Sequence, residues 1–119
     1  MSKDKKQLGN LGEELAVKYL TKKGYEILER NYRYERGEID IIAKDKDILV
    51  FIEVKTRENL EYGYPEESVT KGKQKQIRKV AEAYLWEKDI KGQECRIDVI
   101  AILLQDQGKP VIKHIENAF

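Results

Sequence analysis

Charged side chains interrupt two otherwise apolar, β-branched runs of the chain. Glu38 and Asp40 sit in Gly37-Glu38-Ile39-Asp40-Ile41-Ile42, and Glu53 and Lys55 sit in Phe51-Ile52-Glu53-Val54-Lys55. A buried charge is costly unless it is paired or holds a metal, so these positions demand a reason. Two convergent carboxylates, with a lysine one step further along the same face, are what metal-assisted hydrolysis of a phosphodiester needs. The carboxylates offer hard oxygen ligands to Mg2+ (or Mn2+), the cation acidifies a water and offsets charge on the phosphate, and the lysine orients the nucleophile or steadies the pentacovalent state. The competing reading of Asp40, Glu53 and Lys55 is a cross-strand salt bridge, and the bare pattern does not separate the two.

Convergence depends on the elements that carry these residues. The runs over 37–43 and 48–55 read as two strands separated by Lys44-Asp45-Lys46-Asp47, and a hairpin is the simplest connection. A turn centred between Asp45 and Lys46 sets Asp40 opposite Phe51 and diagonal to Glu53, on one face near a sheet edge. Residues two apart share a face, so Lys55 joins them. A slip of the strand by one residue would send Asp40 to the other side. Ahead of this hairpin the spacing predicts an amphipathic helix from Leu8 to about Lys23, stopped by Gly24, and a short strand from Tyr25 to Asn31.

Beyond the hairpin, Ile77, Val80, Ala81, Tyr84 and Leu85 recur at helical spacing, which predicts a helix over 71–86 with its apolar stripe against a sheet. Arg96–Leu104 is nearly continuous in apolar residues, as a strand covered on both faces would be, and 111–115 forms a last short strand. Strand, helix and buried strand in succession imply a parallel pair joined by a right-handed crossover. The fold class is therefore α/β: a mixed sheet in the order αβββαββ with helices packed on it, within a single domain over 1–119.

Several blocks occur together: Gly9-x-x-Gly12-Glu13-x-x-Ala16, Arg30-Asn31-x-Arg33, the two charged strands through Thr56-Arg57, Gly63-x-Pro65, Lys73, and Arg96-Ile97-Asp98-Val99. In combination the chain resembles the YraN-like family from end to end. That family is similar to a small restriction-endonuclease-like fold, distantly akin to Holliday junction resolvases of the PD-(D/E)xK nuclease superfamily. One departure is Ile39, where the superfamily signature places a proline before the aspartate. The resemblance implies metal-binding acids at Asp40 and Glu53, a metal contact from the Val54 backbone carbonyl, a catalytic lysine at Lys55 and the first-helix glutamate at Glu13. It implies a Mg-dependent endonuclease acting on DNA, branched or structured DNA included, and a homodimer where two strands are cut symmetrically. Two readings of a different class stay open: a non-catalytic nucleic-acid-binding module on the same fold, and a small interaction protein with a buried salt-bridge network.

The run Lys71-Gly72-Lys73-Gln74-Lys75-Gln76-Ile77-Arg78-Lys79 is basic without an acid. On a helix Lys75, Arg78 and Lys79 project outward, whereas Lys73 lies on the inward side, aimed at the sheet edge. Arg57, Lys71, Lys73, Lys75 and Arg78 are the candidate nucleic-acid contacts, with a solvated helix face as the alternative for the outward group. Glu38 suits either an extra ligand or a partner for Arg33 or Arg36. Tyr62 and Tyr64 could stack on bases. Trp86 should oppose the apolar stripe, and His114 should lie at the surface.

With 119 residues, 38% of them charged, 40% hydrophobic and a net charge of +1, the composition fits one soluble domain without a global pull toward nucleic acid. The charged amino terminus lacks the apolar core of a signal peptide, and no apolar run approaches a membrane span, which predicts a cytoplasmic protein with no membrane partner. The single cysteine, Cys95, excludes an internal disulfide and reads as a small buried residue.

Overall fold

The computed structural model describes residues 4–61, 63–105 and 108–119. The elements run α1 (Lys5–Lys22), β1 (Glu26–Tyr34), β2 (Gly37–Asp45), β3 (Ile48–Arg57), a 3-10 turn (Pro65–Ser68), α2 (Lys71–Glu87), β4 (Cys95–Leu103) and β5 (Val111–Ile115). The strands form one sheet in sequential order, β1 to β5. All neighbours are antiparallel except β3 and β4, which are parallel and joined through α2. This is the αβββαββ order read from periodicity. Among the described residues no helix is long and apolar enough to cross a membrane.

Each helix covers one face. On the first, Ala16 and Leu20 of α1 bury against Ile41, Ala43, Val50, Ile52, Ile100 and Ile102. On the second, Ile77, Val80, Ala81 and Tyr84 of α2 bury against Tyr32, Ile39, Ile42, Leu49 and Phe51. The central strand β3 alternates between the two cores, so it is buried on both sides, as is β4. A Schellman-like stop ends α1 at Gly24, whose φ of +93° suits only glycine. Thr70 caps α2 by accepting from the Lys73 N–H.

Four expectations are corrected. The hairpin turn is one residue further along: Asp45 pairs with Ile48, leaving Lys46 (φ +57°) and Asp47 as the turn, and Ile41 pairs with Ile52. Moving the turn by one residue shifts the pairing by two, so the register points Asp40 toward Glu53 rather than Phe51, although the ladder itself ends one pair earlier, at Ile41–Ile52. The strand expected to stop at Asn31 continues to Tyr34, because pairing with β2 resumes at Tyr32–Ile39. Cys95 is exposed, since it opens β4 at the sheet's end, and its thiol donates to the Gln93 carbonyl. His114 is buried instead of at the surface, its side chain only 4% exposed. Trp86 is 87% exposed on the outward side of α2.

Candidate functional site

The sheet's alternation breaks at one level in two neighbouring strands. In β2 both Ile39 and Ile41 are odd-numbered, yet Ile39 packs on the α2 side and Ile41 on the α1 side. In β1, Tyr32 packs on the α2 side while Arg30 reaches Glu13 and Glu14 of α1. The pairs Arg30–Ile41 and Tyr32–Ile39 place the two breaks, Asn31 and Asp40, opposite each other. Asn31 absorbs its part of the break in the left-handed region at φ +54°, which asparagine tolerates better than most residues. The β2–β3 pairing ends at Ile41–Ile52, and beyond it the Val54 N–H donates to the Asp40 carboxylate at 2.8 Å.

Polar side chains from five elements collect at this split. Gly12 of α1 lies so close to β3 that a Cβ there would overlap the Thr56 hydroxyl, and this approach brings the next residue, Glu13, to the site. Glu13, Glu38 and Asp40 bring carboxylate oxygens within 4.8 Å of one another. Asn31 donates its amide to both oxygens of Glu13 (3.0 and 3.1 Å) and to Glu38 (2.8 Å). Arg33 pairs with the other Glu38 oxygen at 3.2 Å, the partner role considered for Glu38, while its place beside Glu13 and Asp40 leaves it available to a cation. On β3, Glu53 is 4% exposed, and one of its oxygens lies 3.5 Å from the ammonium of Lys55 and 3.5 Å from that of Lys73. Lys73 is thus turned inward from α2.

Electrostatics marks the same place. Burial, then the charge of Glu53, pushes Asp40 up to about 7, against the opposing pull of the Val54 N–H. Burial also raises Glu53 above the usual carboxylate range despite its two lysines. The acids are crowded and desolvated beyond what their counter-charges offset, which is the condition a divalent cation relieves. The donor set fits such an ion: carboxylate oxygens only, with no thiolate or imidazole among them, suits Mg2+ or Mn2+ over softer metals. Glu13, Glu38 and Asp40 form one carboxylate cluster, while Glu53, the charge that acts most strongly on Asp40, is engaged by lysines.

The remaining candidates lie further out. Lys71, Lys75 and Arg78 are exposed on α2. With Arg36 and Lys79, two of these, Lys75 and Arg78, line a groove between the β1–β2 turn and α2. Lys79 there is held by Glu35 at 2.8 Å, and Arg78 stacks over Phe119. Tyr64 is exposed, and Tyr62 lies outside the described residues.

Two features stand within the blocks read from the sequence without a role assigned to them there. Asn31 was legible only as an odd residue for a strand, since asparagine is depleted there. The second is a polar network on the α1 side. Arg96 grips Asp98 with two hydrogen bonds (2.9 and 3.0 Å), His114 Nε2 donates to Asp98 at 2.7 Å, and the Asn117 N–H adds a fourth at 3.0 Å. Arg96 also reaches Tyr25 and Asp45, and the Tyr19 hydroxyl lies 3.2 Å from His114 Nδ1. Burial works against the Asp98 charge, but these donors hold its carboxyl below the usual range.

A three-strand meander, a helical crossover to a parallel fourth strand, and acids gathered where β2 parts from β3 make an α/β protein compatible with the restriction-endonuclease-like class. Residues 12–102 match the model of the uncharacterised protein family UPF0102. A UPF0102 protein of Trichlorobacter lovleyi is 49% identical over 120 residues, covering all of this chain and 94% of the relative. One from Dictyoglomus turgidum is 46% identical over 96% of this chain and 98% of its own length, and one from Geotalea daltonii is 50% identical over 98% and 91%. The chain belongs to the UPF0102 family, the YraN-like group.

Proposed function

We propose that the protein is a divalent-metal-dependent nuclease that hydrolyses DNA phosphodiesters, branched or structured DNA included. The observation that carries this reading is the meeting of Glu13, Glu38 and Asp40, within 4.8 Å of one another, beside a buried Glu53 that faces two lysines. Asp40 with Glu13 and Glu38 would hold the cation, and Glu53 would join once its lysines turn to substrate. When bound, the ion supplies Lewis acidity toward water and phosphate. Lys55, projecting from a strand held at that point by β4, offers its ammonium to the attacking water or a phosphoryl oxygen. Lys73 can exchange Glu53 for a phosphate oxygen without moving its backbone. Asn31 fixes the rotamers of Glu13 and Glu38, and the Val54 N–H fixes Asp40.

The ion pairs of Glu53 favour a second reading, a non-catalytic DNA-binding module in which Glu53, Lys55 and Lys73 form a structural cluster. Cleavage of linear and four-way-junction DNA with and without Mg2+, run alongside thermal unfolding, separates the two. The nuclease reading expects Mg2+-dependent cleavage lost in Glu53→Gln, with a metal-induced rise in melting temperature in wild type that the variant reduces. No cleavage and no rise in wild type, with DNA binding intact, would leave the module.

A further inference from the structure

Arg57 is the last residue of β3, and among the described residues its Nε is the one buried side-chain polar atom without a hydrogen-bond partner. Its backbone is fixed, because β3 pairs with β4 through Arg57–Leu103 and the Arg57 carbonyl accepts from the Leu104 N–H at 2.8 Å. The guanidinium has no ion pair among the described residues, in a chain where most half-buried cations have found a carboxylate. A buried donor left unmade costs stability, so the unpartnered Nε calls for an account, and a ligand that draws the half-buried guanidinium outward supplies one. Val50, Ile52 and Val54 pack toward α1, so strand alternation puts Arg57 on the other face, in line with Glu53 and Lys55.

We propose that Arg57 binds a backbone phosphate of the substrate strand, one nucleotide away from the phosphate held at Lys55. This inference rests on the nuclease reading above and extends its substrate contact along β3. Two residues along a strand advance roughly 6.6 Å, comparable with the step between successive phosphates of a nucleic-acid strand. A guanidinium is the group suited to that ligand, since its planar donors match two phosphate oxygens at once. Lys55 and Arg57 then read two successive phosphates as a rigid ruler. Neither touches a base, so the track positions the strand without selecting sequence.

The test pairs Arg57→Gln with a set of DNA duplexes in which one phosphate at a time, at successive positions, is replaced by an uncharged methylphosphonate. Affinity is measured by fluorescence anisotropy without Mg2+. Arg57→Gln should weaken binding to the unmodified duplex roughly tenfold and lower the salt slope by about one phosphate contact. At one position the methylphosphonate should cost wild type a similar factor and cost the variant nothing more. The melting temperature of Arg57→Gln should not fall, since no protein partner is lost, and Arg57→Lys should recover the salt slope but not the full affinity. Additive losses at every position, or a variant that binds like wild type while Lys73→Ala binds weakly, overturn the Arg57 site alone. If wild type shows no salt-dependent DNA binding, the nuclease reading falls and takes this site with it.

Discussion

Two buried acids sit one strand apart and have opposite fates. Asp98 is completely buried and Glu53 nearly so, yet the Asp98 carboxyl is held below its ordinary range while Glu53 is pushed above it. The difference lies in what surrounds each. Asp98 receives four hydrogen bonds from Arg96, His114 and the Asn117 N–H, and among the described residues it belongs to no carboxylate cluster. Glu53 gains two lysines at the long distance of 3.5 Å and raises the neighbouring Asp40 by its charge. A fully satisfied network fixes a structure, whereas a crowded and under-compensated one holds unfavourable electrostatic energy that a ligand can release. The Asp98 network joins β4, β5, the end of β2, α1 through Tyr19, and Tyr25 just ahead of β1. The acids around Asp40 tie α1 to the sheet through Glu13 and α2 through Lys73, with fewer and longer contacts.

This contrast can be broken most directly by deleting each acid. Asp98→Ala strands Arg96 and His114 on the α1 side and should cost about 3–5 kcal/mol in denaturant unfolding, as removal of one partner from a buried charged network does. Glu53→Gln keeps the volume and removes charge from a crowded site, so its stability should stay within about 1 kcal/mol of wild type. Equal losses from the two variants would make both centres structural.

Metal binding gives the next largest separation. Calorimetric titration with Mg2+ should lose its signal in Asp40→Asn and keep it in a conservative Asp98→Asn variant that still folds. A signal that survives Asp40→Asn would move the ion elsewhere.

The pH dependence of stability should then carry opposite signs for the two centres. Asp98 has a lowered folded value, so its contribution is full above the unfolded carboxylate value near 3.9 and is lost as pH falls through the folded value. Asp40 has a folded value near 7, so the native state retains a proton the unfolded chain has released, and stability declines as pH rises from about 4 through 7. Comparing melting curves over that range, Asp40→Asn should gain on wild type as pH rises. A constant difference would mean that the acid is not held protonated by its surroundings.

The smallest effect separates backbone from side chain at Asn31. Asn31→Gly keeps the left-handed conformation easy and deletes the amide, whereas Asn31→Ala loses both and should cost about 1 kcal/mol more. Both should weaken Mg2+ binding several-fold, because Glu13 and Glu38 lose the donor that aligns them. Unchanged Mg2+ affinity in Asn31→Gly would reduce Asn31 to a turn residue.

Much of this was legible in the sequence, and what was missed shares a physical cause. The helical spacing of Ile77, Val80, Ala81 and Tyr84 gave α2 and the inward aim of Lys73, because a helix face is a local property of the chain. The crossover followed from element order. The turn position was ambiguous because Lys44-Asp45-Lys46-Asp47 holds no glycine to mark it, and only Lys46 adopts a positive φ. The matched break at Asn31 and Asp40 is a property of two strands together and leaves only an asparagine within a strand as its trace. His114 has no companion cysteine or histidine, and its burial depends on Asp98, sixteen residues away in sequence, so no local pattern announces it.

The two-residue turn at Lys46-Asp47 has a consequence for the order of folding events. Closing β2 on β3 fixes very few residues, whereas seating Lys73 requires the whole crossover from β3 through α2 to be laid down and β4 to be paired. Asp40 and Glu53 are both carried by that early hairpin, so they are brought level with each other before the ammonium of Lys73 arrives. The nascent hairpin therefore brings its acids together with Lys55 as the one ammonium it carries beside them, and the late helix adds a second. A chain built this way couples completion of its fold to partial compensation of its site, and a cation that reaches the hairpin early can do the helix's work ahead of it.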